Sequence, residues 1–135
     1  TNGGLLIGVD LVKGRAELEA AYDDRLGVTA AFNLNVLNHL NMLMGTDFNP
    51  SQWQHIAFFD TEHARIEMHL EAREDLTTHW PNGERRFNRG ERIHTENSYK
   101  YDLARFRDML LEAGFNAVRA WTDERRWFAV CHASV

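Results

Sequence analysis

Two patterns of apolar and polar residues along this chain predict two kinds of strand. Residues 5–12 (Leu-Leu-Ile-Gly-Val-Asp-Leu-Val) form a nearly continuous apolar run. Such runs are typical of strands in parallel sheets that are covered on both faces. Residues 65–71 alternate strictly, with Ile66, Met68 and Leu70 on one side. This alternation predicts a half-exposed antiparallel strand whose polar face meets solvent.

Helical spacing marks three further segments. A short helix is expected over residues 16–22, and a longer one from Thr29, its expected N-cap, to Gly45. The apolar stripe of the longer helix consists of Phe32, Val36, Leu40 and Leu43, with Leu37 and Met44 beside them. Four asparagines make that helix poor by intrinsic propensity, so packing must hold it. The third helix begins after the N-cap Asp102 and ends at Gly114.

Turn signals place the remaining elements. The pair Asn82-Gly83 predicts a hairpin between residues 76–80 and 85–87. Pro50 favours the start of a helix in an otherwise ambiguous aromatic segment. Further strands are expected over residues 91–95, 117–122 and 127–133. The whole pattern predicts an α/β chain, the end of an open sheet interrupted by an insertion.

Composition indicates an ordinary soluble globular protein. The chain has 135 residues, of which 44% are hydrophobic and 26% charged. Its net charge of −5 comes without a basic stripe, so nucleic acid is not an expected partner. A membrane span is not expected either, because no apolar run approaches roughly 20 residues. The single Cys131 and the lack of a leader before the first strand favour a cytoplasmic location.

Hydrogen-bonding groups are densest in residues 93–101, Ile-His-Thr-Glu-Asn-Ser-Tyr-Lys-Tyr. Such a segment does not help to build a core, because each buried polar atom needs a partner. It suits the wall of a pocket for a small, polar, nitrogen-rich ligand. The alternative is a polar surface loop that caps the helix beginning near Asp102.

Seven histidines raise the possibility of a metal site. His63, Glu67 and His69 share one side of the alternating strand, and two histidines with a carboxylate can bind zinc or iron. Arg65 lies between them and would place a cation where the metal would go. A solvated face is therefore the favoured interpretation and no metal is expected, while a metal-binding or small-ligand module is the alternative.

Five blocks occur together and in order and resemble the C-terminal half of the histidine Nα-methyltransferase family of ergothioneine biosynthesis. The resemblance covers essentially the whole chain and implies an S-adenosylmethionine-dependent enzyme with a Rossmann-like domain and an inserted α+β substrate-binding domain. It assigns residues 1–13 and 102–135 to the former and 14–101 to the latter. The blocks are Leu-Ile-Gly-Val-Asp-Leu-Val-Lys (6–13), Ala-Ala-Tyr-Asp-Asp (20–24), Gly-Val-Thr-Ala-Ala-Phe-Asn-Leu-Asn (27–35), Ala-Arg-Ile-Glu-Met-His-Leu (64–70) and residues 93–101.

The resemblance implies substrate-binding roles for five residues. Tyr22 would hydrogen-bond the substrate carboxylate, and Met68 would line the pocket beside the imidazole. Glu96 and Ser98 would bind the two imidazole nitrogens, with Asn97 shaping the segment between them. A neutral imidazole offers one donor and one acceptor, which a carboxylate and a hydroxyl satisfy. No catalytic residue is assigned, because methyl transfer to an amine requires little beyond positioning.

The glycine-rich loop and the acidic residue that hold the cofactor in this family have no counterpart in the sequence. We therefore expect a fragment that binds no S-adenosylmethionine and is inactive alone, while the complete protein trimethylates L-histidine to hercynine. Methylation of another amino acid, such as a tryptophan derivative, is the alternative, which Glu96 and Ser98 disfavour. A fragment would expose one edge of the strand over residues 5–12, so self-association there is expected.

Overall fold

The computed structural model describes residues 3–135, which form two compact units. The first unit contains the described residues up to Gly14 together with Thr61–Arg65 and Tyr99–Val135. The second contains Arg15–Asp60 and Ile66–Ser98. Each unit has its own hydrophobic core, one cluster in the first and two in the second.

The helices lie toward the two ends of the chain, and the middle is rich in strands. None of the helices in residues 3–135 has the length and hydropathy needed to cross a bilayer. In chain order the elements are β1 (Gly4–Asp10), α1 (Arg15–Tyr22), α2 (Val28–Met44), a 3₁₀ turn (Pro50–Gln52), β2 (Trp53–Asp60), β3 (Arg65–Ala72), β4 (Leu76–Trp80), β5 (Gly83–Phe87), β6 (Arg92–Tyr99), α3 (Leu103–Glu112), β7 (Ala117–Thr122) and β8 (Phe128–Ser134).

The first unit is a three-stranded sheet in the order β1-β8-β7 with α3 packed on it. Strand β8 pairs antiparallel with both neighbours, so β1 and β7 run parallel to each other. Just beyond the end of β1, Leu11 forms an isolated parallel bridge with Tyr101. Val9 is buried in the core, but Leu6 on the opposite face is 70% exposed. A parallel neighbour along residues 5–12, and cover on both faces, stay predictions for the complete protein.

Helix α3 follows its local signals closely. The Asp102 carboxylate accepts the backbone N–H groups of Ala104 and Arg105, as expected of an N-cap. Phe106 and Leu110 are buried against the sheet. The predicted helix and its cap are confirmed, as are the two strands that follow it.

The second unit is built on a sheet in the order β2-β3-β6 with the separate hairpin β4-β5. The hairpin pairs Trp80 with Gly83 across its turn, as the Asn-Gly signal predicted. Pro50 does start a helical turn, but it is only three residues long. Strand β2, which follows at once, was not predicted because its aromatic residues fit no clean period.

Helix α2 corrects two predictions. Its N-cap is Gly27, at a φ of 70°, and the Asp24 carboxylate accepts the N–H groups of Val28 and Thr29. Thr29 is therefore not the cap, although Gly45 does end the helix.

The predicted apolar stripe of α2 is also largely wrong. Leu37, named beside the stripe, is fully buried, but so is Asn33, whereas Phe32 is 65% exposed and Leu43 76%. Val36 is exposed too, and only Leu40 packs on a core. Successive residues lie about 100° apart on a helix. Since the asparagine faces the sheet, the large apolar residue before it turns outward.

Candidate substrate site

Tyr22 and Ser98 meet in the second unit although they lie 76 positions apart in the chain. Tyr22 is the last residue of α1, and its hydroxyl lies 2.7 Å from Ser98 Oγ. The Tyr22 ring packs against the core cluster that contains Met68, which is 2% exposed. The fold thus brings together three of the five residues predicted to bind substrate.

The other two, Glu96 and Asn97, are consecutive exposed residues of β6. Thr95 before them is half-buried, and its hydroxyl donates to the Met68 carbonyl at 2.9 Å. Ser98 after them is half-buried again. Two inward positions separated by three residues break the two-residue period of a strand.

The pairing of β6 with β3 explains this break. Backbone hydrogen bonds join Ala72 to Glu91 and Ala64 to Lys100. The chain advances nine residues from Glu91 to Lys100, while its partner retreats eight from Ala72 to Ala64. One extra residue on one strand is a β-bulge, a device that re-aims side chains beside functional sites.

The bulge decides which side chains meet. In a regular strand Glu96 and Ser98 would share a face, because they are two positions apart. Here Ser98 points to Tyr22, while Glu96 and Asn97 are exposed. The block predicted as a pocket wall or polar loop is therefore an edge strand with a local irregularity. Nothing in the local sequence marks the extra residue.

The polar face of β3 is not solvated, contrary to the prediction. The side chains of Glu67 and His69 are each 12% exposed and hydrogen-bonded at 2.9 Å. The His69 ring stacks between Phe58 and His94, with centroids 5.4 and 4.4 Å away. Side chains from neighbouring strands cover this face instead of water.

Glu67, His69 and His94 form a group of potential metal ligands whose donor atoms lie within 4.8 Å of one another. The two imidazole planes are only 18° apart and stacked, so in this arrangement their in-plane lone pairs do not converge on one point. The group is arranged as a ring stack with a hydrogen bond.

His63, the third member of the predicted metal set, lies in the first unit. It lines an open cavity of about 490 Å³ with Tyr99, Asp102, Arg105 and other residues of that unit. None of the five predicted substrate residues lines this cavity. His63 and the pair Glu67 and His69 thus belong to different units.

An ion-pair cluster that the sequence did not suggest lies at the end of β1. The Asp10 carboxylate pairs with the ammonium groups of Lys13 and Lys100, the latter at 3.0 Å, and Lys100 is 3% exposed. Burial alone would raise the pKa of Asp10, but hydrogen bonds and charges of the two lysines outweigh it and lower the pKa. The cluster fixes the residue that follows β6 to the end of β1.

Comparisons with known proteins bear on what this arrangement recognises. The sequence model of histidine-specific, S-adenosylmethionine-dependent methyltransferases matches residues 1–135. The histidine N-alpha-methyltransferase of Mycobacterium tuberculosis is 40% identical over 139 residues, which is 96% of this chain and 41% of that protein. The Mycolicibacterium smegmatis protein of the same name is 40% identical over 88% of the chain and 38% of its own length. Ergothioneine biosynthesis protein 1 of Neurospora crassa is 32% identical over 90% of the chain and 14% of its own length. The chain thus spans about two fifths of the two mycobacterial proteins.

Proposed function

The chain belongs to the family of histidine-specific, S-adenosylmethionine-dependent methyltransferases, and from that premise we propose that the complete protein trimethylates the α-amino group of L-histidine to hercynine. We assign the part of the protein that this chain spans to recognition of the amino acid. Between β1 and α1 lies a single glycine, Gly14, and not the glycine-rich turn that holds a nucleoside. The described residues do not fit the methyl donor, so no step of the mechanism is derived through it.

The hydrogen bond between Tyr22 and Ser98 is the observation that carries the proposal. Each hydroxyl has one hydrogen to donate, and here one of these two hydrogens joins the two oxygens. A histidine would replace this bond by two: Tyr22 would donate to the substrate carboxylate, and Ser98 to an unprotonated ring nitrogen. The bond gives two half-buried hydroxyls a partner until substrate arrives.

Glu96 would complete recognition of the imidazole. Its carboxylate can accept the remaining ring N–H, and its place on the edge strand β6 leaves it exposed to an incoming ligand. Met68 would supply apolar surface beside the ring, and Asn97 would occupy the second position of the bulge. An indole offers a single donor and no acceptor, so the carboxylate and hydroxyl together favour histidine over a tryptophan derivative.

The first unit would be the end of a Rossmann-like sheet. Its strands β1 and β7 run parallel, with α3 preceding β7, and β8 lies antiparallel between them. In this proposal residues 1–13 and 102–135 belong to the methyltransferase domain and 14–101 to the substrate domain. A cytoplasmic location and self-association through β1 are part of the same proposal. Strand β1 pairs only with β8 among the described strands, Tyr101 bonds only to the end of its other edge, and Leu6 is exposed.

Methylation of L-histidine by the purified complete protein tests the function. Mass spectrometry should show one, two and three methyl groups added to the α-nitrogen, and no addition to the ring. Glu96→Ala should weaken histidine binding by about 1–3 kcal/mol, because a ring nitrogen loses its partner. Glu17→Ala, an exposed glutamate of α1, is the matched control and should leave binding unchanged. Methylation of the ring, or equal histidine affinity in both variants, would contradict the proposal.

A further inference from the structure

We propose that His55 and Asn33 are positioning residues for substrate recognition, because together they fix the end of α1 where Tyr22 lies. This inference rests on the proposed function and deepens it. Neither residue is among those expected to touch histidine. They act through the backbone of Tyr22.

The network begins at the Tyr22 carbonyl. His55 Nε2 lies 2.7 Å from this oxygen, and a carbonyl can only accept a hydrogen bond. Nε2 therefore carries a hydrogen and donates it. Helix α1 ends at Tyr22, so this carbonyl belongs to the last turn, where helix carbonyls lack partners within the helix. The imidazole supplies that missing partner.

The network ends at a second carbonyl, that of His69 in β3. Asn33 Nδ2 lies 3.2 Å from this oxygen and 3.0 Å from His55 Nδ1. The carbonyl identifies the neighbouring Asn33 atom as the amide nitrogen, since the amide oxygen could not donate. The two amide hydrogens then go to His69 and His55, and His55 Nδ1 accepts.

The carbonyl oxygens of Tyr22 and His69 can only accept, and they thus determine the position of every hydrogen in this network. His55 is neutral with its hydrogen on Nε2, and the Asn33 amide has one orientation. Asn33 is 1% exposed, so water cannot replace either of its bonds at low cost. A hydrogen-bonded network anchored on a buried amide favours one geometry. That geometry places the Tyr22 hydroxyl beside Ser98.

The same helix contains a natural control. Asn35 donates from Nδ2 to a ring nitrogen of His39 at 3.1 Å, but both residues are exposed. The chain therefore offers two asparagine–histidine pairs whose asparagines lie two residues apart on α2. In one pair the asparagine is buried and its histidine binds the Tyr22 carbonyl, and the other pair lies at the surface. The same substitution made in each pair therefore distinguishes an effect on the position of Tyr22 from a general effect on the helix.

Steady-state kinetics of the complete methyltransferase tests the inference. His55→Asn keeps a group near Nδ1 but removes the donor to Tyr22, and should raise the KM for histidine about tenfold while the KM for S-adenosylmethionine is unchanged. His55→Gln, whose amide nitrogen can replace Nε2, should recover most of this loss. His39→Asn should change neither constant.

The outcomes separate the two levels of the proposal. A wild-type protein that does not methylate histidine overturns the proposed function. A wild-type protein that does, with His55→Asn indistinguishable from His39→Asn, overturns the positioning role. So does a His55→Gln variant no better than His55→Asn. Equal increases in the KM values of both substrates would indicate general damage and also count against positioning.

Imidazole ¹⁵N NMR gives an independent readout that does not depend on activity. The nitrogen shifts of His55 should show the neutral form with hydrogen on Nε2. Asn33→Asp, which replaces the donor with an acceptor of equal size, should move the hydrogen to Nδ1 or protonate the ring. Asn35→Asp should leave the His55 signals in place. A wild-type His55 with its hydrogen on Nδ1 would refute the network.

Discussion

Helices α2 and α3 both pack on three-stranded sheets, but by opposite means. Helix α3 buries Phe106 and Leu110 and has the side-chain N-cap Asp102. Helix α2 buries Asn33 beside Leu37 and leaves Phe32 exposed, and its N-cap glycine makes no side-chain bond. Apolar burial specifies the position of α3, whereas directed hydrogen bonds specify the rotation of α2.

The two kinds of packing suit two roles: α3 belongs to a scaffold, and α2 supports a binding site. Apolar contacts are non-directional and tolerate small shifts, while a satisfied buried network accepts one geometry. Such precision suits the unit in which Tyr22, Ser98 and Met68 meet. Exposed apolar residues and a low helix propensity in α2 are consistent with a sequence constrained by that network instead of by packing alone.

Phenylalanine truncation in the two helices should give the largest contrast. Phe106→Ala should lower the free energy of unfolding by about 3–5 kcal/mol, because it removes a buried ring. Phe32→Ala should change it by no more than about 0.5 kcal/mol, since that ring is exposed. Urea unfolding of the complete protein measures both. Comparable losses in the two variants would show that α2 is buried through its apolar stripe after all.

The sequence predicted those parts of the fold that depend on neighbouring residues. Asp102 and Gly45 mark helix ends, and Asn82-Gly83 marks a hairpin, through local geometry. The buried face of α2 could not be predicted, because the partners of Asn33 are His55 and His69 on distant strands.

The same limit applies to the site. Tyr22, Met68 and Ser98 were named from the resemblance to a family, and the structure brings them together. The bulge that separates Glu96 from Ser98 was not foreseen, because it arises from pairing with β3.

Replacing the buried asparagine of α2 by an apolar residue should have an effect of intermediate size on stability. Asn33→Leu has similar volume but leaves His55 Nδ1 and the His69 carbonyl without their donor. The free energy of unfolding should fall by about 1–3 kcal/mol. Asn35→Leu on the exposed face should have little effect. If Asn33→Leu stabilises the protein in urea, the buried amide does not contribute to the fold.

Removal of the Asp24 carboxylate at the start of α2 should have the smallest effect on stability. Backbone hydrogen bonds from Thr29 and Val28 lower the pKa of Asp24 from its ordinary 3.8 to about 2. Since the folded value is the lower one, Asp24 stabilises the fold above about pH 4, and this contribution is lost as the pH falls toward 2. Asp24→Asn should flatten the pH dependence of stability in that window. An unchanged acid limb would show that the hydrogen bonds of the Asp24 carboxylate do not stabilise the start of the helix.

In our proposal the bulged end of β6 and the end of α1 form a histidine site. A crystal structure of the complete protein with L-histidine would show whether they do. We predict one imidazole nitrogen within hydrogen-bonding distance of the Glu96 carboxylate and the other near Ser98 Oγ, with the substrate carboxylate at the Tyr22 hydroxyl. The Tyr22–Ser98 bond should be replaced by these contacts. Histidine bound elsewhere, with the Tyr22–Ser98 bond intact, would refute the proposed histidine site.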